Sequence, residues 1–457
     1  MGVRQVVWVL AVLGLLACGQ DDDKSTDAST PSIQGGFASP VQCAACHPNH
    51  FAQWSISNHA YAIHDPVFEA MVQLGQEQTE GELGDFCVEC HSPIAARTDQ
   101  APVVMDSTGA HRQPLDVLDP IATDGISCDV CHTMTSVEAA ANARFDMTPD
   151  GTRRATIADP IDNDFHTSSS SVLHERSQMC GSCHNVVIEL FTEAFRIEST
   201  FREWQISRFN GVKECQDCHM EGSPGQAAVD GPEREVHDHR MIGVDVSLLP
   251  PEAFPGYDEM REATTALLQE SAELEATFDA SRSVLELRID NLAGHALPTG
   301  ATADREMWIE LLVRDDAGEL VFSSGTLDER GDLKQENPEH TLEPGADPQL
   351  TVYRQKMIFD PSLEDPTDTT EPHEVDFLWQ PNTFEENLVP AGGVTKPAYD
   401  LSELPAGEYD VSIRMLFRSF PPHLLRKLVD EGLLDPDVPG RVPTVEMETL
   451  QMLLTVP

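Results

Sequence analysis

Ten of the eleven cysteines in this 457-residue chain fall into five copies of one pattern, Cys-x-x-Cys-His. The copies are Cys43, Cys46 and His47; Cys87, Cys90 and His91; Cys128, Cys131 and His132; Cys180, Cys183 and His184; and Cys215, Cys218 and His219. Two thiols one helical turn apart can add to the two vinyl groups of a single porphyrin, and the imidazole that follows then turns onto the iron. The pattern therefore reads as covalent c-type haem attachment, with five proximal histidine ligands. Zinc ribbons use cysteine pairs but do not need a histidine behind every second thiol. A disulfide framework would not repeat at two-residue gaps. The expected cofactor load is five covalently bound haem c groups with their irons.

The motifs recur at steps of 35 to 52 residues. That is too little chain to wrap each haem separately, so the haems must pack against one another and serve as the core. Short helices and long loops are expected between them. Helical periodicity is present over residues 49–64, 67–78 and 193–208, with Gly- and Pro-rich loops elsewhere.

The eleventh cysteine belongs to a different chemistry. Residues 1–17 combine Arg4 with an apolar run from Val6 to Leu16, the order of a secretory signal peptide. About 12 apolar residues fall short of the roughly 20 that span a bilayer. Leu15-Leu16-Ala17-Cys18 resembles the lipobox of bacterial lipoproteins, which implies cleavage before Cys18 and lipidation of its thiol. Residues 18–40 read as a flexible acidic linker. The expected location is extracytoplasmic: an exported, membrane-anchored lipoprotein on the periplasmic side of the outer membrane or on the cell surface, with the lipid as its only membrane contact.

Composition narrows the partners. With 29 Lys+Arg against 78 Asp+Glu, the formal charge is −49, and a chain with so few bases cannot easily assemble a basic face for nucleic acid or anionic lipid. The partners that remain are other redox proteins: cytochromes, a quinol-oxidising complex or a terminal reductase.

Five proximal histidines leave twelve others. His50, three residues after His47, cannot easily reach the far face of its own haem. The stretch CAACHPNHFAQWSISNHA, followed by CVECH and DGISCDVCH, resembles the multihaem cytochromes of the cytochrome c-554 type, related in haem packing to hydroxylamine oxidoreductase and pentahaem nitrite reductase. The resemblance covers about residues 40–135 and weakens toward 245. It implies that His59, in the His-Ala pair, is the distal ligand of the His132 iron, and that a distal histidine shortly precedes the fourth motif, at His174 or His166, with His174 preferred. No histidine lies between His132 and His166, where the family carries another distal one. After the fifth motif, His239 is preferred to His237 as a further distal ligand.

From about residue 250 the cysteines stop and alternation begins, at residues 284–289, 307–313, 350–358, 409–417 and 448–456, punctuated by Gly, Pro and Asp. That is the pattern of an antiparallel β-sandwich, here with a short amphipathic helix at 423–430. The fold class expected is α+β: a loop-rich, sparsely helical pentahaem domain over residues 41–250, followed by a β-sandwich domain over 251–457. NLAGHALPTG, residues 291–300, resembles a loop of sandwich domains attached to multihaem cytochromes, and its His295 is expected to reach across as a distal ligand. His340, His373 and His423 sit in polar contexts and read as surface residues.

The function expected is electron carriage between redox partners. The alternative is a multihaem oxidoreductase acting on a nitrogen or sulfur oxyanion at one five-coordinate haem. All five motifs end in His rather than Lys, and the haem region has a single tyrosine, Tyr61, which argues against the nitrite-reductase and hydroxylamine-oxidoreductase forms of that chemistry.

Overall fold

The structure is a computed structural model that describes residues 36–457 except 114–116, 190–193, 336–340 and 342–344. The expected signal peptide, Cys18 and His340 lie outside the described residues.

Each Cys-x-x-Cys-His motif closes one turn of helix. The amide of His47 donates to the Cys43 carbonyl at 2.8 Å, and those of His91, His184 and His219 repeat the bond at 3.2, 2.9 and 3.0 Å. Cys128–His132 is a five-residue helix. Among the described residues, short helices and four two-stranded ladders lie between the motifs, and a fifth ladder follows the last one. The 49–64 periodicity resolves into two helices, Pro48–Ser55 and Asn58–Tyr61. Helix Pro66–Gln78 starts where Asp65 accepts the Val67 amide at 2.9 Å and Pro66 occupies the first turn. The 193–208 stretch is strand Ala194–Glu198 followed by helix Thr200–Ile206. Its β-branched and aromatic start pairs with Val186–Glu189 before any helix begins.

The C-terminal half is a sandwich of two antiparallel sheets. One carries Ala272–Asp279, Val284–Asn291, Val394–Thr395 and Ala398–Asp400; the other carries seven strands, centred on Glu306–Arg314 and Gly407–Arg418. Alternation sends Leu285, Leu287 and Ile289 from the first sheet against Ile309, Leu311, Ile413 and Met415 from the second, and these fill the core. Helix Tyr257–Gln269 and strand Ala272–Asp279 precede the strands read from the sequence. Helix Pro422–Asp430 matches its expectation, and its Leu424, Leu425 and Leu428 pack on Val67, Ala70 and Leu74 of the haem-region helix. His423 corrects an expectation. It is buried, facing Asp376 at 3.7 Å, because the apolar face of this helix turns inward. No helix among the described residues is long and apolar enough to cross a membrane.

Glu306 and Arg418 lie directly across the central ladder of the seven-stranded sheet and form a fully buried ion pair, with the guanidinium also donating to the Gly331 carbonyl at 2.6 Å. Removing one member of such a pair strands the other charge in a low-dielectric interior. Glu306→Ala should destabilise the protein by about 3–5 kcal/mol, measured by denaturant unfolding followed by circular dichroism; a loss under about 1 kcal/mol would show that water reaches the pair.

Candidate haem cavity

All ten motif cysteines and twelve histidines line one connected cavity of about 1770 Å3. A pocket for one small molecule spans about 300–1,000 Å3, so this space is built for several large groups. The motifs meet inside it. The Cys43 thiol lies against that of Cys128, Cys90 against Cys183 and Cys180 against Cys215. Cys131 is within electrostatic reach of both Cys183 and Cys180.

The histidines are arranged in facing pairs. His47 stands 6.2 Å from His166, His184 is 6.3 Å from His59, His132 is 6.3 Å from His239, and His219 is 6.3 Å from His295, all between ring centroids. With metal–nitrogen bonds of about 2.0 Å, two imidazoles on opposite faces of one metal have centroids roughly 6 Å apart. In three of the four pairs the rings are within 27° of parallel, and His59 is tilted 48° to His184.

Backbone carbonyls set the direction of most of these rings. Through Nδ1, His47 donates to Ala227 at 2.5 Å, His132 to Arg154 at 2.7 Å, His219 to Ile242 at 3.0 Å, His239 to His237 at 2.8 Å and His295 to Ala296 at 3.1 Å. A metal-binding histidine characteristically gives up its other N–H in this way, leaving Nε2 free. Burial then keeps the imidazoles neutral: it pushes His59 and His239 down to about 3 and His91 down to about 4. The neutral form is the one that ligates.

His59 departs from its expected partner, standing opposite His184 rather than His132. The reason lies in the backbone. Ser57 caps the short Asn58–Tyr61 helix by accepting the Ala60 amide at 3.3 Å, and the His59 carbonyl accepts the Ile126 amide at 3.0 Å. Trp54 Nε1 donates to the Ile126 carbonyl at 2.9 Å. Gly125, at φ +62°, makes this approach possible, since a Cβ there would fall 2.5 Å from the His59 carbonyl oxygen. The Trp-Ser-His-Ala stretch is thus pinned by its backbone to the third motif while the His59 ring points to the fourth.

His174 stands at the third motif. Its ring lies 5.9 Å from His132, but Nε2 donates to the Cys131 carbonyl at 2.9 Å, whereas His239 faces the same imidazole with Nε2 free of such a bond. The histidine brought to His47 is His166, at the head of strand Thr167–Ser170. His50 is 6.3 Å from His47 but tilted by 60° and edge-on to His239. His91 differs from the other four motif histidines. Phe68 stacks on its ring at 4.0 Å, and among the described residues no imidazole faces it in the same way.

The His295 loop is held from both sides. Asn291 of the sandwich donates to the His295, Val389 and Pro390 carbonyls at 2.8, 3.0 and 3.0 Å. Glu203, from helix Thr200–Ile206 in the haem region, accepts the Ala296 amide at 3.0 Å, the Thr299 hydroxyl at 2.6 Å and the Ser199 hydroxyl. Only the S/T-x-x-x-E spacing from Ser199 to Glu203 hints at this carboxylate in the sequence.

These residues fit covalent haem. Thiol pairs one turn apart, a histidine beside each pair and facing imidazoles supply the attachment and ligand atoms. The buried guanidinium atoms Arg153 Nη1 and Arg305 Nε lack hydrogen-bond partners, and both residues line the cavity, so they can serve as donors to anionic groups such as propionates. Bound there, haem iron supplies one-electron redox chemistry, and the fold and cavity define a multihaem c-type cytochrome. Residues 42–133 match the family described as cytochrome c554 and c-prime. The chain's fold is similar to that in the crystal structure of a penta-heme cytochrome c552 from Thermochromatium tepidum, with 20% identity and a TM-score of 0.57 over 93% of this chain and 100% of that one. No curated protein matches.

Glu203→Ala should loosen the 291–300 loop. A hydrogen bond to a charged group contributes about 1.5–3 kcal/mol, so the Ala296 amide should exchange with solvent at least about tenfold faster, with Glu203→Gln intermediate. Unchanged exchange would mean that Asn291 alone holds the loop.

Proposed function

We propose that this chain is a pentahaem cytochrome c that carries electrons between redox proteins outside the cytoplasm, tethered by a lipid on Cys18. The observation that carries the reading is the single cavity into which all five motifs open, with four of the five motif histidines facing a second imidazole. The five haems attach at the ten motif cysteines, with His47, His91, His132, His184 and His219 as proximal ligands. The distal ligands are His166 for the first motif, His239 for the third, His59 for the fourth and His295 for the fifth. Two strong imidazole donors per iron favour the low-spin state and small reorganisation on electron transfer, which suits a carrier. The acidic surface suits a partner that presents a basic docking patch.

A second reading is favoured by one observation. The His91 ring is covered by Phe68 on one face and has no facing imidazole among the described residues. An iron held there would keep its sixth position for a small ligand, as a substrate-converting oxidoreductase requires.

A pyridine haemochrome assay together with paramagnetic resonance of the oxidised protein tests both readings. Five haems are expected, with the four paired irons low-spin. Carbon monoxide added to the reduced protein should perturb one haem, that of His91, if its sixth position is open, and none if a carrier is all the protein is. A count of three haems or fewer, or high-spin signals from two or more irons, would sink the carrier reading. For the anchor, Cys18→Ser should yield a haem-loaded protein that no longer sediments with membranes; continued sedimentation rules out the lipid.

A further inference from the structure

Near the second motif, three charged side chains from the C-terminal half and its approach reach the haem cavity. Asp304 and Arg305 belong to the turn ahead of strand Glu306–Arg314, and Asp245 to the segment that leads into the sandwich. Asp304 is only 5% exposed, and its Oδ1 has no hydrogen-bond partner. Arg305, next to it in the chain, directs its guanidinium elsewhere, to Asp245 at 2.8 Å and to the Ser419 carbonyl at 2.8 Å. One cation therefore serves two carboxylates. Asp245 acts by its charge on Asp304, on Asp65 and on His91, which places the cluster within electrostatic reach of the second motif. A buried carboxylate without a partner is costly as an anion and far less so as an acid.

We propose that Asp304, biased by Asp245 and Arg305, is a proton-accepting site coupled to the oxidation state of the haem held by Cys87, Cys90 and His91. The proposal rests on the haem assignment above. Reduction places one electron, drawn from an external donor, on the iron. The Asp304 carboxylate then takes one proton from hydronium in the solvent and becomes a carboxylic acid. One O–H bond forms on the carboxylate, one breaks in the hydronium to leave water, and the added electron and proton cancel in charge. Asp304 is poised for this because burial pushes its carboxyl up to about 6, with Arg305 pulling it down and Asp245 pushing it up. An electron on a nearby iron adds negative charge and raises it further. The sign follows: the reduced haem is favoured when the acid is protonated, so the potential is higher at low pH and falls as pH rises through the carboxyl's range.

The other charged groups around Asp304 are engaged. Asp65 accepts the Val67 amide and the Tyr61 hydroxyl, with burial raising its carboxyl to about 7, and Glu306 is closed against Arg418. On its far side Asp304 borders a recess of about 10 Å3 shared with Arg354, Glu374, Asp376 and His423. Arg354 is paired with Glu374 at 2.6 Å, and Lys427 holds Asp376. A recess of that size is about the lower limit for one water molecule and offers the proton a way in.

The test uses the intact haem-loaded protein, with midpoint potentials measured between about pH 5 and pH 8 and with redox-difference infrared spectroscopy. In the wild type, one set of potentials should fall with rising pH, and reduction near pH 6 should produce a carbonyl band of a protonated carboxylic acid that shifts in D2O. Asp304→Asn, at unchanged haem content, should lose the band and flatten the slope. Asp245→Asn should keep both but move them to lower pH, because the anion that pushes Asp304 upward is gone and Arg305 is left to it alone. This second variant decides the matter if Asp304→Asn fails to load haem. The proposal is overturned if both variants carry the full haem complement yet keep the wild-type slope and band. A haem count showing the second motif bare would instead defeat the haem assignment, before any potential is measured.

Discussion

An imidazole that gives its Nδ1 proton to a backbone carbonyl has one basic nitrogen left, and its direction is fixed by that bond. In this protein His47, His132, His219, His239 and His295 are all held so. For the three motif histidines the carbonyls come from other segments: Ala227 lies 180 residues from His47, Arg154 is 22 from His132 and Ile242 is 23 from His219, whereas His239 and His295 are held by carbonyls within two residues. The ladders and loops of the haem region are therefore the frame that aims the histidines. This explains how a region with so little regular structure is nonetheless specific in its geometry. Its apolar clusters are small, and much of its internal order is invested in polar contacts that leave Nε2 free.

What was legible in the sequence follows from which constraints are local. Covalent attachment needs two thiols and a histidine within five residues, so all five motifs can be read directly. Strand alternation is equally local, and the expected strands at 284–289, 307–313 and 409–417 all lie within observed ones. The pairing of distal histidines is not local. His59 sits in the expected helix but faces His184, because Gly125 and Ile126 bind its backbone and leave the ring pointing the other way. His166 and His174 are eight residues apart in similar polar surroundings, and only the parallel pairing of Thr152–Ala155 with Thr167–Ser170 brings the first to the cavity beside His47. His423 looked exposed because its partner, Asp376, is 47 positions away. Glu203 was invisible as a clamp for the same reason, since the loop it holds is more than ninety residues downstream.

The two halves of the chain are interlocked by this kind of distant bond. Helix Pro66–Gln78 shares an apolar cluster with helix Pro422–Asp430, and the 291–300 loop is tied to Asn291 at one end and Glu203 at the other. The sandwich thus contributes structure to the cavity in addition to its own core. His295, Asp304 and Arg305 reach the cavity from strand ends and turns, where the sheet's backbone pairing stops and side chains are free to specialise.

The thiol contacts carry a consequence for the route through the protein. The first motif touches the third, the third lies close to the fourth, and the fourth touches both the second and the fifth. Drawn as a graph, this is a fork, with three arms meeting at Cys180–Cys183–His184. A linear chain of relays has two ends and one direction of traffic at a time. A fork has three termini and a junction, so charge arriving at the first motif can be divided between, or merged from, the His91 and His219 arms. The relative potentials at the junction would then act as a set of railway points.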